Sequence, residues 1–346
     1  MGAAFRVGVS RDFLADPADS RSRNVWGDIG LARLDEAGVE WEYMPEVVDA
    51  FRPEDLAPYD AVLYAAPAVT ADSFADGVAR PALLARFGVG YDAVDLEACT
   101  ANDVAATITP DGARRPVATA ALTMLLATLH NLVQKHDIAK RPDWDERVDW
   151  MGTGLNGLTV GILGVGNTGA ELVRLLSPFD VEIIGCDPFC PPERAAELGV
   201  ELVDREALAE RSDALVLMAV LTDSTYHFVD ADFLARMRPG SVLVNVARGP
   251  IVDEPALIDA LSTGRLRAAG LDVFEEEPPS SGIVDLPNVT LAPHSIAWTS
   301  EMSRGNGNSC IDAILAVREG REPRFVVNRD VLAKPSFQQR LEEMAE

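Results

Sequence analysis

The stretch that decides the fold runs from Leu158 to Leu176, "LTVGILGVGNTGAELVRLL". A β-prone apolar run ends in Gly164-Val165-Gly166-Asn167-Thr168-Gly169 and passes directly into a helical pattern. Glycines at the first, third and sixth places permit a tight turn, close approach of a pyrophosphate and close packing of helix on strand. The free N–H groups at the helix start favour the anion. Alone the spacing is a weak signal. It is strengthened by the next strand, "VEIIGC" (181–186), which closes on Asp187, eighteen residues after Gly169. A carboxylate there accepts both hydroxyls of an adenosine ribose and repels a 2′-phosphate, so NAD is the predicted cofactor rather than NADP. A plain glycine turn beside a surface aspartate is the competing reading.

Outward from this motif, short apolar runs alternate with amphipathic stretches. "DALVLMA", "SVLVNV", "RAAGLDV" and "VTLAP" continue the series towards the C-terminus, and "FRVGV", "VEWEYM", "DAVLYAA" and "ALLARFG" form an earlier one. Each series predicts a parallel sheet covered by helices. A buried helix is expected from Pro116, suited to a first helical turn, to Gln134. The segment from "SEMSRGNGNSCIDAILAVREGREP" onward reads as a helix and tail returning to the first domain. A length of 346 residues agrees with two domains.

Composition narrows the partners. Thirty basic against 55 acidic residues leave a formal charge of −25, which repels nucleic-acid backbones and anionic membrane surfaces, so neither is an expected partner. No run of eighteen apolar residues occurs, and the start "MGAAFRVGVSRDF" lacks the pattern of a signal peptide, so a cytoplasmic protein is expected. Cys99, Cys186, Cys190 and Cys310 show neither paired spacing nor clustering with histidine, so reduced thiols and no metal are expected.

Ligands of an open parallel sheet gather beyond the carboxyl ends of its strands. Three polar residues fall there on successive runs: Arg248 after "SVLVNVA", Glu277 in "LDVFEEEPPSSG" (271–282), and His294 after "VTLAP". Singly they read as a surface arginine, a solvated acidic run and a loop histidine. Together they supply a cation for a carboxylate, a group titrating near neutrality and an acid beside it. That set suits interconversion of a 2-keto acid and a 2-hydroxy acid by hydride transfer.

In "FGVGYDAVDLEACTANDVAATITP", the 157–179 stretch, "VLVNVARGPIVDEPALIDAL", "AAGLDVFEEEP" and "NVTLAPHSIAWTSE", the chain resembles the D-isomer-specific 2-hydroxyacid dehydrogenases. The resemblance implies two doubly wound parallel-sheet α/β domains, a Rossmann NAD-binding domain at 108–304 and a flavodoxin-like substrate domain at 1–107 plus 305–346. It implies Arg248, Glu277 and His294 as the catalytic trio, with Glu277 chosen because it directly precedes the proline. Glu275 and Glu276 are then expected to be solvated. It further implies that Val89 and Gly90 offer amides to the substrate, that Asp272 meets the nicotinamide carboxamide, and that Thr225, Val246, Ala247 and His294 join the glycine motif and Asp187 around NAD. A homodimer built partly on the long helix is implied as well.

Some positions depart from the family pattern. Thr119 stands where a glutamate is common, and Arg114 and Arg115 precede the expected helix, where they either bind a distal anion of the substrate or project from the surface. Trp298 replaces a small residue and is a candidate wall of the substrate pocket. The stretch "HSIAWTSE" also resembles C-terminal binding proteins, so an NADH-sensing corepressor-like protein is the alternative function.

Overall fold

The computed structural model describes residues 5–280 and 282–345, so the first four residues of the stretch read for a signal peptide lie outside it. The chain divides into two compact units, Met1–Ala113 with Trp298–Glu346, and Arg114–Ala297.

The first unit holds five parallel strands: β1 (Arg6–Val9), β2 (Glu40–Tyr43), β3 (Ala61–Tyr64), β4 (Leu83–Arg86) and β5 (Ala105–Thr107). Their order, β2-β1-β3-β4-β5, is the flavodoxin-like one. The inner strands are apolar along nearly their whole length because both faces are covered. Leu63 and Ala85 join one core with Val7 and Val9, whereas Val62 and Leu84 join another with Tyr64. The helix Ser300–Arg318 supplies Cys310, Ile311 and Ile314 to the first of these cores, so the C-terminal segment belongs to this unit.

Seven parallel strands form the second unit: β6 (Thr159–Leu163), β7 (Glu182–Cys186), β8 (Glu201–Leu202), β9 (Ala214–Leu217), β10 (Val242–Asn245), β11 (Ala268–Leu271) and β12 (Val289–Leu291). The order β12-β11-β10-β9-β6-β7-β8 reverses direction between β6 and β9, the switch point of a Rossmann fold. Alternate side chains again separate: Leu215, Leu217 and Leu243 enter one core, and Val216, Val242 and Val244 the other.

The long helix differs from expectation. It runs Pro110–Leu129, and Pro110 occupies the first-turn position assigned above to Pro116, which lies inside the helix. There Pro116 removes one main-chain hydrogen bond without ending the helix. The break comes instead at Asn131, whose left-handed φ of 52° precedes a second helix, Leu132–Ala139. The two helices are bent by 60°, and among the described residues no single helix is long and apolar enough to cross a membrane.

Candidate active site

The glycine motif folds as its spacing requires. Gly164 adopts φ +92°, and a Cβ there would lie 2.8 Å from Ala219 Cα, so both the turn and its packing demand glycine. At Gly169 a Cβ would stand 2.1 Å from the Gly164 carbonyl oxygen, which would push the helix off the turn. Gly166 is different: among the described residues a Cβ there would meet nothing within 4 Å, so no neighbour among them imposes that glycine. Gly166 and Asn167 are exposed at the start of the helix Asn167–Leu176, with Thr168 in its first turn. A helix terminus open to solvent at a bare backbone fits a dinucleotide pyrophosphate.

Asp187 follows β7 and is already engaged. Its Oδ2 accepts the Val165 amide at 2.8 Å and its Oδ1 the Phe189 amide at 2.9 Å. Each carboxylate oxygen has a second lone pair, so capacity for ribose hydroxyls remains. The same side chain therefore holds the glycine turn. Arg194, which sequence reasoning missed, donates from Nη2 to Asn167 Oδ1 at 3.3 Å.

The carboxyl ends of β10, β11 and β12 stand level, since Asp272 N–H donates to Asn245 O at 3.0 Å and Ala292 N–H to Leu271 O at 2.9 Å. At the end of β10, fully buried Asn245 receives the Ala247 amide on Oδ1 at 3.0 Å and donates from Nδ2 to the Arg248 carbonyl at 2.9 Å. This side-chain turn shapes the Val246–Arg248 loop. The Arg248 guanidinium donates from Nη1 to the Ala247 carbonyl at 2.7 Å. Gly249 is buried against the next loop, for a Cβ there would lie 1.7 Å from the Phe274 carbonyl oxygen.

Beyond β11 and β12 the acid and the histidine meet. His294 Nδ1 lies 2.8 Å from Glu277 Oε2, and Glu277 Oε1 accepts the Phe274 amide at 3.2 Å. A carboxylate on Nδ1 favours a proton on that nitrogen and leaves Nε2 for acid–base chemistry. His294 has a φ of 51°, uncommon for a residue with a side chain. Asp272 holds the turn that follows: its buried carboxylate accepts the Ser295 amide at 2.8 Å and the Ile296 amide at 3.1 Å. Burial pushes the Asp272 carboxyl above the ordinary aspartate range, opposed by these two amides and by His294. This supporting role was not visible in the sequence.

The other expected residues fall as follows. The Thr225 hydroxyl donates to Val220 O at 2.7 Å and receives the Thr222 amide at 2.8 Å, holding its own turn after β9. In the first unit, Thr109 anchors the Val89–Gly90 loop by accepting the Gly88 amide on its hydroxyl at 3.0 Å, and Arg86 donates to the Gly90 carbonyl. Trp298 stacks on Trp26 with ring centres 4.2 Å apart, and Trp26 in turn packs 4.9 Å from Phe87, two residues before Val89.

Two expectations change. Arg114 and Arg115 do not precede the long helix but lie within it, because the helix begins at Pro110. They surround Glu171: Arg115 Nη1 is 2.6 Å and Arg174 Nη1 3.1 Å from its carboxylate, with Arg114 Nε at 3.8 Å. Led by Arg115, this cluster holds the Glu171 carboxyl below the usual glutamate range. Nor is Glu275 a freely solvated acid, because it pairs with His227, while Glu276 receives the Ser280 hydroxyl within its own turn.

The sequence profile described as "D-isomer specific 2-hydroxyacid dehydrogenase, NAD binding domain" matches residues 122–295. A D-3-phosphoglycerate dehydrogenase of Methanocaldococcus jannaschii is 38% identical over 248 residues, 71% of this chain but 47% of that protein, so the alignment spans about half of that relative. A glyoxylate reductase of Thermococcus onnurineus is 35% identical over 308 residues, 86% of this chain and 92% of its own. A crystal structure of a Thermus thermophilus protein superposes with a TM-score of 0.77 at 28% identity, covering 93% of this chain and 100% of the other.

Proposed function

The chain belongs to the D-isomer-specific 2-hydroxyacid dehydrogenases, NAD-dependent oxidoreductases, and we propose that it interconverts a small D-2-hydroxy acid and its 2-keto acid. The observation that carries this reading is the 2.8 Å approach of Glu277 to His294 Nδ1, at the sheet end that also bears Arg248. The glycine turn at 164–169 and Asp187 would hold NADH, which when bound would supply the hydride to the carbonyl carbon. Arg248 binds the substrate carboxylate as a fork and polarises the adjacent carbonyl. Protonated His294 delivers its Nε2 proton to the carbonyl oxygen, and Glu277 keeps the ring oriented and stabilises its positive form. In the oxidative direction neutral Nε2 takes the hydroxyl proton.

In the first unit we assign the Val89 and Gly90 amides to the substrate carboxylate and Trp298 to its side chain. Around the cofactor we assign Asp187 to the adenosine ribose, Asp272 to the carboxamide, and Thr225, Val246 and Ala247 to the remaining contacts. A homodimer is proposed as the working form, to be tested by sedimentation. The corepressor-like alternative is not favoured, because the matched relatives are named as dehydrogenases and reductases.

The test is NADH oxidation with glyoxylate, hydroxypyruvate, pyruvate, phenylpyruvate, 2-ketoglutarate and phosphohydroxypyruvate. Glyoxylate heads the panel because the relative aligned over 92% of its length is named for reducing it. Turnover of at least one, giving the D-hydroxy product where the product is chiral, is expected. Failure with all six overturns the reading.

A further inference from the structure

A second histidine–glutamate pair lies beside the first. His227 Nε2 meets Glu275 Oε1, with 30% and 28% of the two side chains exposed. His227 stands in the loop after β9, with a left-handed φ of 47°. For a residue with a Cβ such a conformation persists only where its surroundings impose it. Its ring stacks on Tyr226 at 4.0 Å, and its amide donates to the Pro250 carbonyl at 2.8 Å. One residue thus fixes the loop after β10 through its backbone and the loop after β11 through its ring.

Those loops carry Arg248 and Glu277. Gly249 is seated against the Phe274–Glu275 peptide. The Glu275 amide donates to Glu254 Oε2 at 3.2 Å, and the Phe274 amide to Glu277 Oε1 at 3.2 Å. Displacing Glu275 would therefore disturb the peptide under Gly249 and the amide that holds Glu277.

We propose that His227 and Glu275 are positioning residues, whose pairing across the loops after β9 and β11 keeps Arg248 and Glu277 in their working places. The proposal rests on the dehydrogenase reading above. Neither side chain is required to touch substrate or cofactor.

The test compares His227→Gln, Glu275→Gln and the double variant with the unmodified enzyme, using the best keto acid of the panel and NADH binding by fluorescence. Each single variant is expected to lose about tenfold in kcat/KM, with KM for the keto acid raised and the NADH Kd within about twofold. Because both serve one contact, the double variant should fall within about twofold of the worse single. Glu276→Gln is the control and should stay within about twofold of the unmodified enzyme. Single variants with unchanged kcat/KM overturn the proposal. So do losses that multiply in the double variant, or a loss matched by equal loss of NADH binding and thermal stability, which marks general loosening. An unmodified protein that turns over none of the keto acids overturns the dehydrogenase reading and this inference together. Silent variants of an active enzyme overturn this inference alone.

Discussion

His294 Nδ1 faces Glu277 Oε2 at 2.8 Å, while the other oxygen of that carboxylate accepts the Phe274 amide. The glutamate is therefore fixed by its own loop before it fixes the ring. Glu277→Gln keeps the shape and removes the charge that stabilises an imidazolium. It should lower kcat/KM by on the order of a hundredfold, within the usual range for acid–base groups, with NADH affinity little changed. Steady-state kinetics and a fluorescence titration check this. A glutamine variant with normal kinetics would remove the pair from the chemistry.

Arg248 is expected to bind a carboxylate with two parallel N–H groups, a geometry an ammonium cannot copy. Arg248→Lys should therefore lose on the order of a hundredfold or more in kcat/KM while leaving NADH binding intact. Near-normal turnover by the lysine variant would exclude the fork.

Asp187 has two tasks, the turn amides seen here and the proposed ribose contact. The unmodified enzyme should prefer NADH to NADPH in kcat/KM. Asp187→Ala should narrow that preference mainly by weakening NADH, and NADPH should gain less than loss of repulsion alone predicts, because the Val165 amide loses its acceptor. Equal efficiency with the two cofactors in the unmodified enzyme would contradict the assignment.

Glu171 is held below the usual glutamate range, chiefly by Arg115. A depressed folded value means that its stabilising contribution is present above the unfolded range near pH ~4.3. The contribution is lost as pH falls through the lower folded value. Glu171→Gln should cost about 1 kcal/mol at pH 7, or about 2–4 °C in the melting of its unit, and the difference from the unmodified protein should shrink in acid. Differential scanning calorimetry from neutral pH into acid measures it. A gap that widens in acid would contradict the cluster.

The residues that were easiest to read in the sequence act through local backbone. Gly164, Gly166 and Gly169 are close in chain and space, and fully apolar runs such as Ala214–Leu217 announce strands covered on both faces. The positions of Arg248 and His294 after strands that finish at the same end of the sheet were legible, because each follows an apolar run directly. What was hidden is non-local. The partner of Glu275 is His227, 48 residues earlier, and nothing in an acidic run selects it. Asn245 ends one ordinary-looking strand and Asp272 follows another, and only the folded chain shows their side chains turned back onto the loops. The long helix was misplaced because two prolines in one stretch, Pro110 and Pro116, both suit a helix start. β5 (Ala105–Thr107) and β8 (Glu201–Leu202) are too short to carry a periodic signal.

Gly249 bears on how genomes are read. Since a single added carbon there would collide with the Phe274 carbonyl at 1.7 Å, the arginine before it can be placed only if this backbone stays bare. A homologous gene retaining arginine, glutamate and histidine but encoding alanine after the arginine would pass a motif search as a working copy. If the trio acts as proposed, its product would keep those three side chains but lose the bare backbone that seats the arginine, so the dipeptide at 248–249 is a stricter sign of a working gene than the trio alone.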